Sequence, residues 1–146
     1  LDLPRAEKFI REAKKATQKL ATSGLREIVN ELSAKGEIVS ACGIVLASGR
    51  TLPPLEATLR SHAMVHTAEG ELYRAAIAHA GEYCGLRVSG VKERELYERA
   101  AEALHLSAAK LKSRVNEMGK AVGSPWTSDE KNATLVAWLA LAARKV

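Results

Sequence analysis

Residues 37–47 read EIVSACGIVLA, and the interpretation of this stretch decides the fold. From Ile38 to Ala47 the chain carries no charge and is rich in β-branched and aliphatic side chains. An apolar run of this length without polar alternation predicts a strand covered on both faces, as in a parallel sheet. Ser48-Gly49-Arg50 ends it.

The neighbouring segments extend that reading. Pro53-Pro54 opens a helical stretch, as one helix or two, that runs to Gly85. Residues 86–91, LRVSGV, predict a second strand with looser alternation. Two strands joined by so long a helical connection pair in parallel through a right-handed crossover. The expected fold is therefore a helix-rich α/β domain. It has one parallel β-α-β unit, with strands at about 38–47 and 86–91, covered by helices.

The flanks supply the cover, within a single domain spanning residues 1–146. The first 36 residues form a helical N-terminal segment. One helix is expected over 4–21, with Phe9, Ala13, Ala16 and Leu20 on one face. Thr22-Ser23-Gly24 is expected to break it, and Leu25, Ile28, Val29 and Leu32 mark a second short helix that stops at Gly36. Three more helices follow. The first covers about 93–104, with Leu96, Ala100 and Leu104 inward. The second covers about 107–121, with Ala108, Leu111, Val115, Met118 and Val122 inward and Ser107 as N-cap. The third covers about 128–144, where Thr127 and Glu130 have capping-box spacing and Trp126 is placed as a staple across the helix start. Residues 133–143 are wholly Ala, Leu, Val, Trp and Thr, which makes this a core helix.

Composition limits the possible partners. The chain has 146 residues and a net charge of +5, with hydrophobic residues at 47%. Residues 1–36 and 92–146 each carry +3 and the middle carries −1. That excess fits nucleic acid or another acidic partner without requiring either. No apolar run approaches the ~18 residues of a membrane span, and no signal peptide is visible, so no membrane partner is expected. Cys42 and Cys84 lie apart, with no metal-ligand spacing, and read as reduced, buried residues of a cytoplasmic protein. Two strands alone make a poor sheet. A second copy of the chain could complete it, and so could an N-terminal part of a longer protein, an expectation the opening Leu1 suits.

The densest polar cluster lies in SHAMVHTAEGELY, residues 61–73. On one continuous helix from Leu55, the positions Leu59, His62, His66, Glu69, Tyr73 and Ile77 fall within about 40° of one line. Two imidazoles and a carboxylate thus interrupt an otherwise apolar stripe. His62, His66 and Glu69 could present three ligands to one divalent metal ion. Alternatively, Glu69 orients His66 for acid–base work. The structural alternative is that the histidines donate to backbone carbonyls or cap a helix break. His79 and His105 stand alone. Arg50 follows the buried strand at its carboxyl end, where parallel sheets bind ligands, and is the candidate ligand contact.

Asp129 and Asn132 sit three apart in the opening turn of the last helix, where an acid is favoured by the helix dipole alone. Lys8, Arg11, Lys15 and Lys19 line one face of the first helix, and Lys110, Lys112 and Arg114 form a second basic patch. Either could lie along phosphates or be an ordinary solvated face.

The order of these segments resembles a known family. A buried strand leads to a long Ala-rich helix and a second strand ending in Val91-Lys92. AAKLKSRVNEMGKAVG (108–123) and DEKNATLVAWLAL (129–141) follow. This is similar to the C-terminal half of the RuvC-like branch of the ribonuclease H-like fold. The resemblance implies a nucleic-acid-associated domain, with Asp129 matching the first metal-binding acid of the final helix. Asn132 stands where that family has the second acid, and Glu69 is left as the further carboxylate. Nothing before residue 37 reads as the strands with which the family begins. The resemblance therefore implies either part of a longer chain or a catalytically altered relative.

Overall fold

A computed structural model describes residues 2–49 and 51–143. Its elements run α1 (Leu3–Ala34), β1 (Ala41–Leu46), α2 (Leu55–Leu59), α3 (His62–Tyr83), β2 (Arg87–Lys92), a 3-10 turn (Glu93–Glu95), α4 (Leu96–Leu104), α5 (Ala108–Val122) and α6 (Ser128–Ala142). The helix-rich α/β class is as the sequence predicts. β1 and β2 pair in parallel, with Ala41 opposite Arg87 and Leu46 opposite Lys92. Both strands are six residues long, so the expected range of 38–47 is too wide at each end. Ile38 lies outside β1 and is 83% exposed.

The described residues form two units. One takes its residues from 1–39 and 49–86 and contains α1, α2 and α3. The other takes 40–48 and 87–146 and contains both strands and the last three helices.

In the first unit α1 packs along α3. Asp2 caps α1 by accepting from the Arg5 N–H at 3.1 Å. The helix does not break at Thr22-Ser23-Gly24, which corrects the expectation of two helices. A glycine inside a helix costs only about 1 kcal/mol. Half-buried positions continue through this segment, from Ala13, Thr17 and Gln18 to Ala21, Thr22, Gly24 and Leu25. Packing along one face therefore outweighs the weak local propensity. The true stop is Gly36, at φ +83°, where the Glu37 N–H reaches back to the Leu32 carbonyl. No residue of α1 is fully buried, and Phe9 and Leu20 are 70% and 74% exposed.

Ser61 divides the next helical stretch. Its side chain accepts from the Met64 N–H, ending α2 and starting α3. The buried positions of α3 are Ala76, Ala80 and Gly81. Small side chains, not large ones, thus make its packed face.

The second unit holds the larger core. Val91, Leu96, Ala100, Leu111, Val115, Leu135 and Val136 pack together, with Trp126 and Trp138 against them. Burying one Leu or Val side chain of this kind stabilises by about 1.5–3 kcal/mol. α6 lies on β1 so closely that a Cβ on Gly43 would stand 2.6 Å from the Val136 carbonyl oxygen. The Arg87 guanidinium donates to the Ala140 carbonyl at 2.6 Å, tying the start of β2 to the end of α6. Thr127 and Glu130 form the expected capping box.

Two expectations in this unit need correction. Ala108, Met118 and Val122 are exposed, and Gly119 is buried in their place. Trp126 is the reason. Its indole fills the space over Gly119 and donates to the Val115 carbonyl at 3.1 Å. It therefore binds α5, and is not a staple across the start of α6.

Candidate functional site

His62, His66 and Glu69 occupy the first two turns of α3, which begins at His62 because Ser61 caps it. The break removes Leu55 and Leu59 from the line expected on one helix. The rest of the line, His62, His66, Glu69, Tyr73 and Ile77, stays on α3, and every member is exposed. It is an outward face with apolar members, not a core face interrupted by polar ones.

The three polar side chains form one chain of contacts. Glu69 Oε2 lies 2.9 Å from His66 Nδ1, and His66 Nε2 lies 3.0 Å from His62 Nε2. The two rings meet edge to face, with centroids 4.3 Å apart and planes at 80°. An ionised carboxylate only accepts, so His66 Nδ1 donates to Glu69. In the tautomer with its proton on Nδ1, the His66 ring keeps its lone pair on Nε2, which accepts from the Nε2–H of His62. Glu69 therefore sets the tautomer, and the tautomer turns an electron pair toward His62.

The same arrangement suits a cation. With metal–nitrogen bonds of about 2.0–2.1 Å, neighbouring nitrogen ligands stand about 2.9 Å apart at right angles and about 3.3 Å apart in a tetrahedron. The observed 3.0 Å falls between these values. A divalent ion would replace the proton shared by the two Nε2 atoms. Glu69 then orients a ligand through its far nitrogen, as carboxylates behind metal-bound histidines do. Among the described residues no group of three or more His, Cys, Asp or Glu side chains is arranged to hold a metal ion. What α3 presents is two imidazoles in contact, backed by one carboxylate, and not the three-ligand set expected from the spacing of His62, His66 and Glu69.

The other sequence candidates lie elsewhere. Asp129 is exposed in the first turn of α6, where its N–H donates to Thr127 Oγ1 at 3.3 Å. It belongs to the second unit, whereas His66 and Glu69 belong to the first. Asn132 donates to Glu93 Oε1 at 3.1 Å, a pairing between α6 and the residue after β2 that the sequence reading missed. The signal available was the place of Glu93 directly after Lys92. Arg50 lies outside the described residues. Cys42 and Cys84 are free thiols and half-buried, not buried as the sequence predicts, and the partial burial pushes the Cys42 thiol above its usual range. No described helix is long and apolar enough to cross a membrane.

Comparison with known proteins adds no relative: neither a family model, a curated protein nor a solved structure matches the chain.

Proposed function

We propose that this protein binds a divalent transition-metal ion through His62 and His66, and that the ion serves hydrolytic or Lewis-acid chemistry at its open positions. The observation that carries this reading is the 3.0 Å approach of the two Nε2 atoms, with Glu69 fixing the His66 ring from behind. Imidazole nitrogens suit zinc, nickel and copper, and a site with open positions holds the water or substrate oxygen that such chemistry needs. The i,i+4 spacing on one helix fixes the pair before the ion arrives, so little ordering cost opposes binding.

The test is a thermal melt with and without Zn²⁺, Ni²⁺, Mn²⁺ and Mg²⁺, on wild type and on the His62→Ala/His66→Ala double variant. The expected outcome is a rise in melting temperature with Zn²⁺ or Ni²⁺ that the double variant lacks. A melt that no ion moves would sink the proposal.

A second reading has its own support. The parallel pairing of β1 and β2, with β2 ending on Lys92, agrees with the order of segments by which the sequence resembles a ribonuclease H-like, nucleic-acid-associated domain. In that reading Asp129, in the opening turn of α6, is the acid that matches the family's final helix. Salt-sensitive binding of duplex or branched DNA by the full chain supports it. Equal, salt-insensitive binding of any polyanion counts against it.

A further inference from the structure

Within the first unit, a cavity of about 450 Å³ opens between α1 and the C-terminal end of α3. Lys15, Lys19 and Arg26 line it from α1, together with Thr22, and His79 and Tyr83 line it from α3. At about 100° per residue the three cations fall within about 40° of one line along α1. No carboxylate is among the lining residues. Nor does any of the three cations have a carboxylate within 4.0 Å among the described residues. Lys8 on the same helix and Lys35 at its C-cap pair with Glu12 and Glu31. Arg5, Arg11 and Lys14 of α1 likewise have no carboxylate within 4.0 Å among the described residues, so what sets Lys15, Lys19 and Arg26 apart is that they share one cavity whose lining holds no acid.

We propose that this cavity binds a phosphorylated ligand carrying a planar ring, a nucleoside di- or triphosphate by chemistry. Three unmatched cations and the Thr22 hydroxyl supply charge-assisted and neutral donors to phosphoryl oxygens. From Lys15 to Arg26 the helix rises about 16 Å, a length that takes a short phosphate chain and a ring. The rings of His79 and Tyr83 are 6.5 Å apart and inclined by 34°, and Tyr83 is 65% exposed. They offer flat surfaces for a base to lie on. The volume falls in the range of about 300–1,000 Å³ typical of small-ligand pockets, which favours a bounded ligand over a long strand. This inference goes beyond the metal centre and does not depend on it, because His62 and His66 take no part.

The test uses the full chain in EDTA, so that no metal contributes, at low ionic strength. ATP, inorganic pyrophosphate, adenosine and a short single-stranded oligonucleotide are titrated by calorimetry into wild type, Lys19→Ala/Arg26→Ala and Tyr83→Ala. All three side chains are on exposed residues, and circular dichroism confirms that each variant folds. ATP is expected to bind more tightly than pyrophosphate, and adenosine hardly at all. The double variant should lose ATP affinity by about tenfold or more. Tyr83→Ala should weaken ATP and spare pyrophosphate. The proposal is overturned if ATP does not bind, or if the double variant binds it equally well. It is also overturned if pyrophosphate matches ATP with Tyr83→Ala silent. Binding of the oligonucleotide without ATP would overturn it in favour of a nucleic-acid surface.

Discussion

Glu69 holds the Nδ1 side of His66 at 2.9 Å, one helical turn along α3, and so decides which nitrogen of that ring faces His62. In Glu69→Gln the side-chain amide can present either its oxygen or its NH₂ to Nδ1, so the tautomer is no longer fixed. Affinity for Zn²⁺ or Ni²⁺ should fall by about tenfold or more, the usual effect of losing a carboxylate behind a ligand histidine. Isothermal titration measures the loss, and ¹⁵N chemical shifts of the imidazole ring report the tautomer. Because both residues are exposed, the melting temperature without metal should hardly change. Unchanged affinity would assign Glu69 to a surface ion pair only.

Gly119 lies beneath the indole of Trp126, where an added Cβ would overlap ring atoms. Neither side can yield easily, since the indole N–H is also committed to the Val115 carbonyl. Gly119→Ala removes a helix-interior glycine, which alone should stabilise by up to about 1 kcal/mol. Overpacking should outweigh that, for a net loss of about 1–3 kcal/mol in denaturant unfolding. A more stable variant would show that the ring can move aside.

These two sites mark where the sequence could be read and where it could not. The short strand around Ile44, its parallel partner and the Thr127–Glu130 cap were legible, because each depends on a short pattern with one physical cause, although Ile44 alone in β1 is fully buried. The face of α3 was not. Tyr73 and Ile77 suggested a core stripe through His62 and His66, yet the helix packs through Ala76 and Ala80. When alanines make the contact, larger apolar residues stand outside it, and hydrophobicity points the wrong way. Gly119 was missed for a similar reason. An absent side chain is visible in sequence only once its covering ring is known. The convergence of two Nε2 atoms depends on ring rotation, which spacing does not specify.

Acid should weaken the second unit through the start of α6. The Thr127 hydroxyl and backbone N–H both donate to Glu130 and hold its carboxyl below the usual range. A carboxyl lowered on folding adds stability above its unfolded pKa, and that stability is lost as pH falls through the folded value. The melting temperature should therefore drop as pH goes from about 5 to about 3, and drop less steeply in Glu130→Gln. Parallel curves for the two proteins would show that other carboxyls dominate.

Cys42 should react slowly with thiol reagents. Burial raises its pKa, so less of the attacking thiolate is present near neutral pH. A thiol raised on folding contributes stability below its unfolded pKa, and loses it as pH rises through the folded value. Alkylation followed by mass spectrometry at about pH 7 and about pH 9 should show Cys42 labelling slowly at both, with a rate that climbs as the protein loosens. Fast labelling at neutral pH would contradict the burial of the thiol.

The chain crosses between its two units more than once: residues of β1 belong with α4, α5 and α6, although α2 and α3 intervene in sequence. Neither unit is therefore a continuous stretch of gene. A fragment beginning at Arg87 would keep the last three helices but lose the backbone at Gly43 on which α6 rests. A fragment ending at Leu86 would carry β1 with no strand beside it. On the ribosome the same order imposes a delay. β1 emerges early, then waits through α2 and α3 for its partner strand, and longer still for the helix that covers it. An uncharged segment such as Ala41–Leu46 is in that interval the part of the nascent chain most in need of shelter.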